Sequence, residues 1–234
     1  MQDRRAVNDT GVAQFFGRVY GTMALGIIVT AVVTFILGYV MRDAYISLLS
    51  TNRLAFFILT FLPFVFVLAG SGRKAVANPA RALTMFLLLA ASEGTTLAVI
   101  MTMFNGTTVI AALLVTAIIF ITMACVGIFG KKDLSRAGGI ASMLLIGVIL
   151  MSVVNMFMGS VGMAMFINYA ILGIFIVLVA FDSQRLRNFY AYAEAQGDVA
   201  VSALAIQGAM MLYLDFLNLF ISILQIFGIG SDNN

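Results

Sequence analysis

The stretch Leu212-Tyr213-Leu214-Asp215-Phe216-Leu217-Asn218-Leu219-Phe220-Ile221 decides how this chain is read. It is an apolar run with one carboxylate near its middle and an amide three residues on. The run continues to Ile229, long enough to cross a bilayer, which takes roughly 20 helical residues. An ionised Asp at the centre of such a helix costs about 2.5–3.5 kcal/mol on insertion scales. A residue that costly needs a partner and a task, and the rest of the chain is searched for both.

Working outward, apolar residues make up 62% of the chain and charged residues 10%. A soluble domain carries about 25% charged residues. A chain of this length could not hide so much apolar surface from water, so its solvent is lipid and the fold class is an all-α integral membrane protein. With no His and one cysteine, Cys125, the usual zinc and haem sites and an intrachain disulfide are excluded. Glycine-rich nucleotide loops and a GxSxG nucleophile turn are missing too. Nothing points to nucleic acid.

Seven apolar runs predict seven spans: Val19 to Val40, Leu54 to Gly70, Ala80 to Met103, Thr108 to Phe129, Ile140 to Met158, Met163 to Phe181, and Ser202 to Ile229. The implied organisation is a tail over 1–18, a transmembrane domain over 19–229 and a short tail over 230–234. The first run is too long for a signal-peptide core and is expected to be retained. Asn78-Pro79 reads as a helix start, a capping amide followed by proline at the first helical position. Asn105-Gly106 reads as a tight turn. Pro63 falls inside span two and favours a kink. Asn155 and Asn168 are expected to hydrogen-bond between helices.

Lys and Arg favour the cytoplasmic side in short loops. Arg4, Arg5 and Arg18 precede span one; Arg73, Lys74 and Arg81 lie between spans two and three; Lys131, Lys132 and Arg136 between four and five; Arg185 and Arg187 between six and seven. The alternate loops hold only Arg42 and Arg53. The bias predicts a cytoplasmic N-terminus with the C-terminus on the far side, and a short tail with no eukaryotic sorting signal leans towards a bacterial inner (cell) membrane.

Three carboxylates lie in or at the edge of the spans: Glu93, Asp182 and Asp215. Asp182 ends span six, and span seven starts from the same side. Helices joined by a short connection are usually neighbours, so contact between Asp182 and Asp215 is permitted, more so if span six continues into the polar segment Asn188 to Val201. Two carboxyls in contact share a proton and titrate as one unit. Arg185, three residues after Asp182, shares its face if the helix continues; Arg73 and Arg81 are the other candidate counter-ions. Asp182, Asp215, Glu93 and Asn218 offer the oxygen ligands that a hard cation such as calcium takes. Each acid also has a plain reading: Asp215 with Asn218 as polar glue, Asp182 as a headgroup-level helix end, Glu93 as a packed neutral acid.

At this point the chain resembles a known family. Val179-Ala180-Phe181-Asp182-Ser183-Gln184-Arg185-Leu186 is similar to one signature of the transmembrane Bax inhibitor motif family, and Leu212 to Phe220, continued by Ile226-Phe227-Gly228, to the other. Val19-Tyr20-Gly21, Thr51-Asn52-Arg53 and Lys132-Asp133-Leu134-Ser135 extend the likeness over nearly the whole chain. The resemblance implies a last helix wrapped by the other six and a monomer conducting a pH-sensitive calcium leak. In it, Asp182 and Asp215 form the proton-sensing pair, and an arginine near the end of span two, here Arg73, latches it. Calcium and protons are then transported or sensed ions, with no resident cofactor. The alternative is a non-transporting regulatory protein that binds other membrane proteins. An enzyme is not expected: an intramembrane aspartyl protease also pairs acids on two late spans, but its Tyr-Asp, Gly-x-Gly-Asp and Pro-Ala-Leu patterns are missing. A retinal photoreceptor lacks its lysine, since Lys74, Lys131 and Lys132 are all in loops.

Overall fold

A computed structural model describes residues 9–71, 77–195 and 197–231. These residues form helices and no strand. In chain order they are α1 (Asp9–Phe35), a π-helical turn (Ile36–Val40), α2 (Arg42–Thr51), α3 (Arg53–Ser71), α4 (Pro79–Met101), α5 (Gly106–Phe129), α6 (Ser135–Met158), α7 (Val161–Glu194) and α8 (Asp198–Ser231). Seven of them are long and apolar enough to span a membrane: α1 with its π turn, and α3 to α8. The last is set apart by burial, with 61% of its most apolar stretch covered against 11% to 39% in the others. Lipid exposure explains the contrast. Helices that face hydrocarbon need no protein cover, so Phe61, Leu68, Ile118, Met143 and Phe157 project outward.

The boundaries differ from the expected ones where polar residues lie on a helix that still packs on one face. α1 starts ten residues before Val19, because Phe15, Phe16, Val19 and Met23 bury one stripe. The segment after Arg42 is a helix rather than a turn, with Tyr45 buried. At the other starts the local chemistry is as expected. Asn78 Oδ1 accepts from the Arg81 N–H at 3.1 Å with Pro79 next to it, and Asn105 Oδ1 accepts from the Thr108 N–H at 2.8 Å, with Gly106 already inside α5. Pro63 is buried and α3 runs on through it.

The chain divides into two compact units, one holding residues up to Met103 with Asn188–Tyr213, the other Phe104–Arg187 with Leu214 onward. In the first, α1 and α4 meet at glycines. A Cβ on Gly26 would strike the Phe86 ring, and one on Gly94 would strike Val33 and the Thr30 carbonyl. Such close approach puts hydroxyls within reach of the facing backbone, the usual adhesive of membrane helices. Thr30 Oγ1 donates to the Ala90 carbonyl at 2.8 Å and lies 2.6 Å from the Tyr213 hydroxyl. Thr34 donates to the Gly94 carbonyl at 3.1 Å, and Tyr45 to the Thr95 carbonyl at 2.9 Å. The Phe86 ring meets Tyr213 edge-on, with centroids 5.3 Å apart. The π turn closes with the Met41 N–H donating to the Ile36 carbonyl, five residues back, at 2.8 Å, and Gly38 within it is buried beside Ala98.

In the second unit, Gly127 on α5 lies against the Ala180 carbonyl and Ser183, and Gly138 on α6 lies under the Phe181 ring. Phe120 and Phe216 stack edge to face at 5.7 Å. Gly228 near the end of α8 leaves room for Phe104. Gly159, at φ 62°, ends α6, and there the Asn155 side-chain Oδ1 accepts from the Ser160 N–H at 3.1 Å. Asn155 closes this turn through a local bond, where an interhelical one was expected.

Candidate functional site

The site is built where α7 and α8 carry their acids. α7 does not stop at Asp182: Leu186, Tyr190 and Ala193 bury one stripe at helical spacing, so the helix carries on to Glu194. Twelve residues of α7 follow Asp182, about 18 Å, and seventeen residues of α8 precede Asp215, about 26 Å. The connection between the helices is short, and the continuation of α7 leaves a difference of about 8 Å between the two rises.

Asp182 is 8% exposed and Asp215 4%, and each carboxyl lies within electrostatic reach of the other. Oδ2 of Asp215 and Oγ of Ser183 are buried with no hydrogen-bond partner among the described residues. Unpaired buried oxygens are costly to leave so. In the first unit Gln207 Nε2 is likewise buried without a partner among the described residues. The Arg185 guanidinium, one turn beyond Asp182, is exposed and within electrostatic reach of it. Asn218, one turn beyond Leu214, spends its amide N–H on the Leu214 carbonyl at 2.8 Å, which leaves its Oδ1 as the atom a cation would use.

Two neighbours of Asp182 were not singled out by the sequence reading. Gln184 clamps the connection between α5 and α6: its Nε2 donates to the Lys132 carbonyl and its Oε1 accepts from the Leu134 N–H, both at 2.8 Å. Arg187 donates to the Ile128 carbonyl at 2.6 Å, near the end of α5, where helix carbonyls lack partners of their own. The available signal was Gln184 itself, a buried amide next to a membrane edge. In the same connection Asp133 Oδ1 accepts from the Ser135 hydroxyl at 2.6 Å and its N–H at 2.9 Å. These bonds hold the Asp133 carboxyl below the usual carboxylate range.

The remaining expected residues lie apart. Glu93 is half-buried on α4 in the first unit, within electrostatic reach of Tyr213. Arg81 is exposed in the first turn of α4. Arg73 lies outside the described residues. Among the described residues no group of three or more acidic, His or Cys side chains converges as a metal cage would.

Residues 12–232 match the family described as inhibitor of apoptosis-promoting Bax1. The chain belongs to this Bax inhibitor-like family. It is 36% identical over 224 residues to an uncharacterized membrane protein of Streptococcus pyogenes serotype M3, covering 94% of this chain and 95% of that one. It is 34% identical over 221 residues to the inner membrane protein YbhL of Escherichia coli K12, covering 93% and 92%. An uncharacterized protein of Caulobacter vibrioides is 32% identical over 228 residues, covering 94% and 90%. These Bax inhibitor-like relatives are bacterial, and membrane placement agrees with the seven apolar helices.

Proposed function

We propose that this family member is a pH-sensitive leak pathway or exchanger for calcium or a like cation, not an enzyme, gated by the Asp182–Asp215 pair. The observation that supports the reading is the electrostatic proximity of two nearly buried acids on consecutive late helices. While one proton is shared the pair is held together. Loss of that proton sets two like charges side by side in low dielectric, which pushes α7 and α8 apart or recruits a cation between them. Arg185 is the counter-ion in this reading.

Calcium prefers six to eight oxygens. Two carboxylates and the Asn218 carbonyl supply only part of such a shell, so the ion passes partly hydrated instead of residing. The basic loops favour a cytoplasmic N-terminus, and the pair then opens toward the cytoplasmic face of an inner membrane. Glu93 is a separate candidate for a lining acid.

Calcium entry into proteoliposomes, followed with an entrapped dye from pH 5 to 8, tests the proposal. The parent protein is expected to show flux that changes with pH. Asp215→Asn and Asp182→Asn, which keep shape and remove the shared proton, should each flatten that dependence. A variant that tracks the parent at every pH would remove the gate. An inert parent that copurifies with a stable membrane-protein partner would favour a regulatory role.

A further inference from the structure

An apolar groove of about 820 Å³ runs along the second unit between α6 and α7. Among bulkier apolar residues, its lining includes the small Ala137, Ala141 and Gly147 on α6 and Ala170 and Gly173 on α7. Some glycines of this unit are pressed by a neighbour; Gly127 and Gly138 could not carry a Cβ. Gly147 and Gly173 are of the other kind. A Cβ on either would meet nothing within 4 Å, so close packing within this chain does not account for them.

From Ala137 to Met151 the groove is about 21 Å long. One leaflet of the hydrocarbon core is about 15 Å thick, so the groove suits one acyl chain with its headgroup at the Ala137 end. A spanning helix fits poorly. It is at least about 10 Å across and needs about 30 Å to span, while the α6 lining of the groove ends at Met151.

The chemistry of the Ala137 end selects the headgroup. Arg136 directly precedes Ala137, and Lys131 and Lys132 lie in the connection that Gln184 ties to α7, two turns beyond the lining residue Val177. All three cations are exposed, and among the described residues none is held in an ion pair; Asp133, the acid between them, is occupied by Ser135. We infer that this groove is a binding site for an anionic phospholipid, one acyl chain lying along α6 and α7 and the phosphate seated on Lys131, Lys132 and Arg136.

The test is lipid selection by the purified full-length protein in mixed micelles doped with equal amounts of phosphatidylglycerol and phosphatidylcholine of the same chains, with bound lipid read by native mass spectrometry. The parent should retain phosphatidylglycerol several-fold over phosphatidylcholine. K131A/K132A/R136A should lose the preference yet still hold lipid, while the control R42A/R53A should keep the preference. G147L/G173L, whose side chains project into open groove and so should not disturb folding, should lose bound lipid of both kinds; circular dichroism melting checks that each variant is folded. Unchanged preference in the triple variant, lipid retained by the folded leucine variant, or a dimer in the parent that the leucine variant abolishes would each overturn the assignment.

Discussion

Tyr213 and Asp215 are two residues apart on the same helix, both buried, both polar, and they are treated in opposite ways. The Tyr213 hydroxyl ends in a closed network. Thr30 has one proton, and the Ala90 and Gly26 carbonyls near it only accept, so Thr30 donates to backbone and Tyr213 donates to Thr30. Asp215 meets another acid, and one of its oxygens has no partner among the described residues. A satisfied polar group in a membrane fixes geometry. An unsatisfied one next to a like group stores a response to protons or cations. The contrast is one of bonding and needs no reference to any relative.

The largest effect expected from breaking this contrast is on transport. Across its titration range an acid changes its charged fraction by up to about tenfold per pH unit, so a gate built on the pair should change flux by a comparable factor. Asp215→Asn should remove that slope, while Tyr213→Phe should leave it in place and alter only stability; calcium flux at stepped pH measures both. Next comes packing. Gly127→Ala drives a methyl into the Ala180 backbone and should cost about 1–3 kcal/mol, against less than about 0.5 kcal/mol for Gly147→Ala, read by thermal melting in detergent.

A smaller effect belongs to the hydroxyl network. In a Thr30→Val and Tyr213→Phe double-mutant cycle the coupling should be about 0.6–1.7 kcal/mol, the range for hydrogen bonds between membrane helices. The smallest is at Asp133. Its carboxyl is held below the usual range by Ser135, so the charged form is the one favoured by folding. That stabilisation is present at neutral pH and is lost as pH falls through the folded value. The slight acid sensitivity of melting should vanish in Asp133→Asn.

Much of this was legible because lipid enforces simple rules. Span length and scarcity of charge place seven helices, and Asn78-Pro79 and Asn105-Gly106 place two of their starts. Helix ends in water were harder. The polar residues after Asp182 read as a connection, yet Leu186, Tyr190 and Ala193 carry α7 onward, and that extension narrows the difference in depth between Asp182 and Asp215. Periodicity was available there but was masked by composition. The roles of Gln184 and Arg187 depend on which carbonyls a folded chain leaves open near them, and one-dimensional pattern carries no such information. Glu93 shows the same limit from the other side: its cost was visible, its neighbours were not.

The π turn at Ile36–Val40 holds one residue more than regular winding would use. A helix turns about 100° per residue, so excising a single residue there would rejoin α1 to α2 at a different rotation and swing Tyr45 away from the Thr95 carbonyl it donates to. The length of the chain between Phe35 and Arg42 is therefore itself a specification. Substitutions in this turn should be forgiven more readily than a one-residue deletion, which would shift the facing of all that follows until the next connection absorbs it.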